Sequence, residues 1–383
     1  MNKKRKFDYT GVLSSVFAIL IGLIVGFIIL LICNPKQSAP GFFTILTGAF
    51  THGAKGVGQV FYYSTPIILT GLSVGFAFKT GLFNIGASGQ FIVGGFGAVY
   101  VGIMCENLGS IHWLAALLAG VLFGAIWGLV PGLLKAFFNV NEVIASIMMN
   151  YIGMYGVNWF VKSYKPMFNN IRNESKPVLQ TANIPKMGLD KLFPDSSING
   201  GFIIAVLVVI LIYLVLDKTA FGYELKAVGY NRDASRYAGI NEKKGIVFSM
   251  MIAGAISGLA GACLYLAGTG KHIEIVDTLA DEGFTGISVA LLGLCHPIGI
   301  LFAGIFIAYL TAGGFYLQLF EFSTEIIDII VAIIIYFSAF ALMVKMLIAK
   351  VEKNKGDKKS GLKEPGDAAA SKAVSDKKGG IKA

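Results

Sequence analysis

Long apolar runs constrain this chain more than any other feature of its sequence. A helix needs about 20 predominantly apolar residues to cross the hydrocarbon layer of a bilayer. The first such run, 12–33, follows the basic segment MNKKRK and is too long for the core of a signal peptide. Hydrophobic residues make up 55% of the chain and charged residues 14%, against about 25% charged in ordinary soluble domains. We therefore predict an all-α integral membrane protein, and a soluble enzyme is excluded.

Ten transmembrane helices are predicted within the membrane domain 12–348. Their approximate limits are 12–33, 61–78, 82–104, 113–134, 143–161, 202–216, 246–268, 284–295, 298–317 and 326–348. The segment 39–59 is too polar to span and is predicted to be an external amphipathic or re-entrant helix. Spans 2–5 and 7–10 form two sets that run oppositely through the membrane, because their offset of five spans is odd. This is the topology of an inverted repeat, which is common in transporters.

The orientation follows from lysine and arginine in the short loops, which favour the cytoplasmic side. With the basic N-terminus 1–11 inside, the basic loop 217–244 also lies inside, and ten spans return the lysine-rich tail 349–383 to the cytoplasm. The loop 162–200 falls outside and is the exception, because it also holds several lysines. The tail has no apolar periodicity and is predicted to be disordered. Because basic flanks of apolar helices report orientation, the net charge of +10 does not indicate a nucleic-acid partner.

Sequence motifs of catalysis are absent. The chain has no GxxxxGK[ST] phosphate loop, no HExxH and no GxSxG. Its four histidines lack ligand spacing and its four cysteines form no CxxC pair, so neither a metal site nor a disulfide framework is predicted. Only Glu142 and Asp328 are acids near span interiors, which argues against an ion-coupled carrier. We expect no catalytic residue and no bound cofactor in this chain.

Two apolar segments carry uncharged polar residues. The Gly-rich string GLFNIGASGQ holds Asn84, Ser88 and Gln90. In span 5, Glu142, Ser146 and Asn150 are four residues apart and share one helix face. Such amides must find partners in lipid. They either join helices or offer amides to a polar, uncharged solute at a broken helix.

Glycines at helical spacing predict close contacts between helices. Gly120, Gly124 and Gly128 form one stripe, and Gly254 and Gly258 form another. Small residues let helix backbones approach each other where lipid supplies no hydrophobic drive for association. The stripes indicate either tight static packing or helices that slide and rock.

The loop 217–244 is more than a plain turn. Asn231 is predicted to cap a short helix over 232–238, which Gly239 would end. Such a helix between two spans is either a solvated loop or a surface that a cytoplasmic partner grips.

Four strings together resemble a known family. GLFNIGASGQ, NEVIASIMMNYI, FGYELKAVGYNRDASRYAGI and DEGFTGISVALLG with HPIGI occur in this order. They resemble the permease subunits of ABC importers, and more narrowly the branched-chain amino acid/ribose/nucleoside permease family. Within it, the chain is similar to the larger permease subunit of bacterial nucleoside (guanosine-type) importers. The resemblance runs from about 61 to 347 and leaves out the loop 162–200.

This resemblance implies a type II ABC importer fold that works by alternating access in the bacterial plasma membrane. A separate ABC ATPase subunit would bind ATP and magnesium, a second, non-identical permease would complete the pathway, and a substrate-binding lipoprotein would deliver the solute. The loop 217–244 would hold the coupling helix that rests on the ATPase. Its implied contact residues are Ala227, Gly229, Asn231, Arg232, Arg236, Tyr237 and Gly239.

Further roles complete the sequence-based hypothesis. The candidate pathway residues are Asn84, Ser88, Gln90, Ser146 and Asn150. Glu142 is the candidate for gating or coupling, or simply answers the helix dipole. The candidates for receptor docking are Lys162, Lys165, Arg172, Asp277, Asp281 and Glu282. A nucleoside is the favoured solute, with ribose-like sugars or branched-chain amino acids as alternatives. The rival classes are an ion-coupled secondary carrier and a membrane-embedded enzyme or scaffold.

Overall fold

The computed structural model describes residues 9–339, and helices dominate this part of the chain. They are α1 Tyr9–Cys33, α2 Ser38–Thr51, α3 Gly53–Lys79, α4 Ala87–Met104, α5 His112–Phe138, α6 Glu142–Ser163, α7 Leu189–Leu192, α8 Gly201–Lys218, α9 Ala220–Tyr230, α10 Arg232–Tyr237, α11 Glu242–Tyr265, α12 Asp281–Leu292, α13 Pro297–Phe315 and α14 Thr324–Ala339. Two short strands, β1 Phe168–Asn169 and β2 Glu174–Ser175, form an antiparallel hairpin.

Six helices among the described residues are long and apolar enough to cross a membrane. They are α3, α4, α5, α8, α11 and α13. A shorter apolar stretch, Ile19–Cys33, lies in α1. This confirms a multi-pass membrane protein built from helices, while the count of ten spans and the inverted repeat stay predictions.

Several predicted boundaries are wrong. The predicted span 284–295 corresponds to α12, which has 12 residues. Such a helix is about 18 Å long and does not cross the roughly 30 Å hydrocarbon layer by itself. Helix α3 begins at Gly53, well before the predicted start at 61, and the kink at Gly53 separates it from α2. The last predicted span, 326–348, lies partly outside the described residues.

The predicted start of span 3 is also wrong, because residues 82–86 are not helical and α4 begins at Ala87. Gly81 precedes this stretch with a φ of +76°. That left-handed conformation favours glycine, and it turns the chain out of α3. The segment 80–86 is called the α3–α4 loop below.

Two central helices hold the fold together. Helix α3 packs against α12 and α13, and helix α11 packs against α4 and α5. The spanning part of α3 is 89% buried and that of α5 is 28% buried, so α3 is central and α5 faces outward. Burial of its apolar length keeps α3 away from lipid.

The glycine stripes form the crossing of α5 and α11. A methyl group on Gly124 would lie 2.4 Å from the carbonyl oxygen of Gly254 and 2.6 Å from the Cα of Gly258. Only a residue without a side chain fits this contact. The predicted close approach of helices is therefore confirmed, and the two stripes face each other.

The chain has two distinct ends. At the basic end, the α3–α4 loop, the adjacent ends of α5 and α6, the segment 217–244 and the turn 293–296 lie together. At the opposite, long-loop end, the segment 164–200 folds over the loop 266–280. There Ser175 N–H donates to the carbonyl of Ile273 at 2.8 Å, and Ile184 N–H donates to that of Leu266 at 2.9 Å. The predicted external segment is thus anchored by backbone hydrogen bonds.

Candidate functional site

A buried amide pair lies where α3, α4 and α11 meet. Asn84 Nδ2 donates to Gln90 Oε1 at 2.8 Å, and Gln90 Nε2 donates to Asn84 Oδ1 at 3.1 Å. Asn84 also donates to Ser73 Oγ at 3.2 Å, and Ser73 donates to the carbonyl of Ala253 in α11 at 2.6 Å. Asn84 and Gln90 are at most 1% exposed. The polar atoms satisfy one another. The pair therefore joins the α3–α4 loop to α4 and, through Ser73 of α3, to α11.

Asn150 extends this cluster into α6. Its Oδ1 accepts from Gly89 N–H at 2.8 Å, and its Nδ2 donates to the carbonyl of Ile85 at 3.0 Å. A methyl group on Gly89 would lie 2.7 Å from the Cα of Asn150, so α4 and α6 approach closely. The polar stripe of α6 therefore faces another helix and the α3–α4 loop.

Ser146 lies in the same cluster beside Gly86. It is fully buried, and its Oγ has no hydrogen-bond partner within the described residues. Leaving a buried hydroxyl unpaired costs about 1–3 kcal/mol. The unpaired hydroxyl of Ser146 therefore destabilises this conformation on the α6 side of the cluster.

Ser88 points away from the other four predicted pathway residues. Its Oγ donates to the carbonyl of Ala280 at 2.8 Å, just before α12. A methyl group on Gly283 would lie 2.4 Å from the Cα of Ser88. Ser88 thus joins the start of α4 to the start of α12. All five predicted pathway residues are buried in this conformation.

Glu142 is the first residue of α6. Asn141 caps this helix, since its Oδ1 accepts from Val143 N–H at 2.9 Å. Glu142 pairs with Lys135 of α5, with 2.8 Å between Oε2 and Nζ. Its charge also lies where it stabilises the positive end of the helix dipole. The ion pair links the adjacent ends of α5 and α6.

The segment 217–244 holds two helices, of which the sequence predicted one. Helix α10 begins after Asn231, whose Oδ1 accepts from Ala234 N–H at 2.9 Å, and Gly239 follows it with a φ of +83°. The predicted capped helix is therefore confirmed. Helix α9 was missed, although Thr219 caps it by accepting from Gly222 N–H at 3.0 Å. The sequence signal for α9 is a small or apolar residue at every third position, at Gly222, Leu225 and Val228, all of which are buried.

The last residues of α9 and α10 present aromatic rings to solvent. Tyr230 ends α9 and is 88% exposed, and Tyr237 ends α10 and is 95% exposed. Arg236 is exposed in the last turn of α10. Tyrosine and arginine are among the residue types that protein interfaces enrich.

The segment 217–244, which is predicted to hold the coupling helix and is called the coupling segment below, contacts the α3–α4 loop through glycine. The two meet at Gly81 and Gly229, and they line a groove of about 400 Å³ with Lys79, Tyr230 and Cys295. Since the same loop carries Asn84, a continuous set of contacts runs from α10 to the buried amide cluster.

A polar cavity of about 390 Å³ opens at the long-loop end. Three of the predicted docking residues, Arg172, Asp281 and Glu282, line it. Arg172 lies 3.8 Å from Glu174, another lining residue. The remaining predicted docking residues, which are Lys162, Lys165 and Asp277, are exposed and do not line the cavity. The structure therefore places three of the six predicted docking residues around the opening of one cavity.

The outward face of α6 was missed by the analysis of sequence. Along it Met148, Tyr151, Tyr155 and Trp159 are exposed, together with Ile144, Ile147 and Ile152. The available signal was the pair of tyrosines four residues apart in the middle of a predicted span.

The comparisons with known proteins agree on one family. The model described as branched-chain amino acid transport system / permease component matches residues 56–339. The chain is 36% identical to the guanosine ABC transporter permease protein NupP of Bacillus subtilis over 337 residues, which cover 88% of this chain and 95% of that protein. It is 33% identical to the nucleoside ABC transporter permease protein NupB of Lactococcus lactis, over 94% of this chain and 99% of that protein.

A third relative carries a different solute in its name. The chain is 30% identical to the glucose ABC transporter permease protein TsgB13 of Haloferax volcanii, over 84% of this chain and 85% of that protein. No solved structure matches the chain.

Proposed function

We propose a function from the premise that this chain belongs to the branched-chain amino acid transport system / permease component family. It is the membrane permease subunit of an ATP-driven ABC importer and forms part of the translocation pathway for nucleosides. The observation that carries the assignment is the similarity over almost the whole chain to two permeases named for guanosine and nucleosides. Both termini lie in the cytoplasm, with the basic end facing inward.

The energy comes from outside this chain. The full sequence has no phosphate-binding loop, so a separate ATPase subunit binds and hydrolyses ATP. Helix α10 is its docking element, because the helix is capped at a fixed place and exposes Tyr237 and Arg236. Closure of two ATPase subunits moves α10 at the basic end.

The motion passes inward through rigid contacts. Gly229 presses on Gly81, and the α3–α4 loop that follows holds Asn84 in the amide cluster. Asn150 ties the same loop to α6. A displacement of α10 therefore reaches both α4 and α6. In their predicted pathway role, the cluster residues contact the solute only when α6 moves away from α4, because they are buried in this conformation.

The packing supports the finer architecture, an inverted repeat within a ten-span chain. Helix α3 packs against α12 and α13, while α11 packs against α4 and α5. The first helix of each predicted set thus contacts the second and third helices of the other set. This exchange is reciprocal, as a two-fold relation between two halves requires.

The partners follow from the same assignment. A second, non-identical permease faces α6 and closes the pathway, and a substrate-binding lipoprotein seats on the long-loop end. Charges of both signs around the polar cavity would hold the lobes of the lipoprotein in one orientation. The glucose permease among the relatives keeps a sugar as the second candidate solute.

Affinity purification from membranes tests this function. The tagged chain is extracted in mild detergent, its partners are identified by mass spectrometry, and nucleoside binding to the co-purified receptor is measured. We expect an ATPase with a GxxxxGK[ST] motif, a second permease and a receptor that binds guanosine. A chain that purifies alone, from a preparation in which another ABC importer stays intact, would contradict the assignment and favour a secondary carrier.

A further inference from the structure

The outward face of α6 differs from the outward faces of α5 and α8. On α5, the large exposed residues in the spanning part are Leu114, Leu118, Leu122, Ile126, Leu133, Phe137 and Phe138. On α8 they are Leu207, Ile210, Leu211 and Leu214. Both sets are hydrocarbon, as contact with lipid tails requires. On α6, by contrast, two tyrosines and a tryptophan are exposed beside Ile144, Ile147 and Ile152.

These tyrosines lie in the middle of a membrane-length helix. Helix α6 has 22 residues, and Tyr151 and Tyr155 fall well inside both of its ends. Tyrosine in membrane proteins is enriched at the interfaces with water, not at mid-depth. Within the range 9–339 neither hydroxyl has a hydrogen-bond partner, and the two residues are 46% and 53% exposed. A lipid-facing position would leave both hydroxyls unpaired in hydrocarbon, which is unfavourable.

The hydropathy of α6 leads to the same conclusion. It is long enough to span, yet it is not among the six helices that are apolar enough to be candidate spans. The polar stripe with Ser146 and Asn150 accounts for part of this, because it is buried against α4. Glu142, Asn158 and Lys162 account for another part, and the tyrosines of the outward face add to it. The unpaired hydroxyls of Tyr151 and Tyr155 indicate that this part of the face meets something more polar than lipid tails.

The aromatic residues form a ladder along that face. Tyr151 and Tyr155 are four residues apart and lie one above the other, separated by about 6 Å along the axis. Met148 and Trp159 extend the ladder in both directions, to about 16 Å in total. None of the four carries a charge, so the ladder offers flat rings, one thioether and polar ring edges.

We infer that this ladder is a stacking surface for the nucleobase of the transported solute, with Tyr151 and Tyr155 as its central rings. The inference rests on the proposed function and names the groups that contact the solute. Aromatic side chains stack on any base, because every base has a π-face. Rings spaced at helical pitch give successive weak sites, which suits passage better than one tight site.

The polar cavity places the solute at the start of the ladder. Asn158 and Met154 of α6 line this cavity, next to the outward face. Its volume of about 390 Å³ lies in the range of small-ligand sites. A nucleoside released by the receptor into this mouth would thus meet α6 first near Trp159 and Tyr155.

The test uses the complete importer, with ATPase, second permease and receptor, in liposomes. The double variant Tyr151→Leu/Tyr155→Leu removes both rings, and Tyr151→Phe/Tyr155→Phe keeps them. Phe302→Leu is the matched control, because Phe302 is an exposed aromatic residue on α13. We expect the leucine variant to lower guanosine transport per ATP by about tenfold, from a stacking contribution of about 1–3 kcal/mol per base. The phenylalanine variant and Phe302→Leu should stay within about twofold of the wild type.

Photolabelling of the unmodified importer gives a second readout that does not depend on a variant. 8-Azidoguanosine is irradiated during turnover, and the labelled peptides are mapped. Labelling within 148–159 that disappears when excess guanosine is added supports the ladder. The inference is overturned if the leucine variant transports normally, or if the labelling that guanosine suppresses lies elsewhere in the chain. If the wild-type importer carries no nucleoside but a different solute, the proposed substrate fails, and the inference falls with it.

Discussion

Gly81 and Gly229 touch backbone to backbone at the basic end. A methyl group on Gly81 would lie 2.3 Å from the Cα of Gly229, and one on Gly229 would lie 2.6 Å from the backbone nitrogen of Gly81. No side chain separates the coupling segment from the α3–α4 loop. In the proposed mechanism, motion of α10 enters the membrane domain at this contact, because closely packed atoms transmit displacement with little slack.

Replacing Gly229 with alanine should impair this transmission. The added methyl group would force the coupling segment away from the α3–α4 loop, because the nearby atoms are backbone and cannot turn aside. We expect guanosine transport per ATP to fall several-fold while ATP hydrolysis persists. Gly188→Asn is the control, because this residue lies at the long-loop end, no atom lies within 4 Å of a Cβ there and asparagine tolerates positive φ. Equal transport in both variants would contradict the role of the contact.

Arg236→Glu should uncouple transport without unfolding the protein. Arg236 is exposed in the last turn of α10 and has no ion pair in the described residues, so its reversal should leave the permease fold intact. Uptake in cells and the amount of co-purified ATPase should both drop. Lys191→Glu reverses an exposed charge in α7, at the opposite end, and serves as the control. Normal uptake by Arg236→Glu would exclude α10 as the docking helix.

The amide pair should show strong coupling between its two members. Asn84→Ala leaves Gln90 buried with an unpaired amide, and the expected loss of stability is about 1–3 kcal/mol. The double variant with Gln90→Ala should be more stable than the sum of the two single losses predicts. Thermal unfolding of the purified protein in detergent measures all three variants. Strict additivity would mean that the two amides act independently.

The crossing of α5 and α11 should not tolerate a side chain. Gly124→Val places two methyl groups against backbone atoms of Gly254 and Gly258, which forces the helices apart. We expect little monodisperse protein on size-exclusion chromatography. Gly156→Val makes the same chemical change at a helical position where no atom lies within 4 Å of a Cβ. Its elution profile should match that of the wild type, and a similar loss in both variants would point to helix propensity instead of packing.

Local features of the fold were predictable where the cause lies within a few residues. The cap of α10 was predicted because an asparagine needs only the next few N–H groups to act, and Asn231 indeed accepts from Ala234. The Gly120–Gly124–Gly128 stripe likewise predicted a close helix contact. Boundaries failed where distant parts decide them. Residues 82–86 are apolar enough to continue a span, but they leave the helix to place Asn84 against Gln90.

The sequence by itself determined that the chain is a helical membrane protein, that its basic loops share one end and that a capped helix lies between two spans. Each follows from hydropathy, charge or a local hydrogen bond. Only the tertiary structure decided which polar residues meet each other and which face outward. It buries Asn84, Gln90 and Asn150 in mutual contact and leaves Tyr151 and Tyr155 unpartnered. The physical reason is that helical periodicity defines the faces of a helix, whereas only its neighbours determine what each face meets.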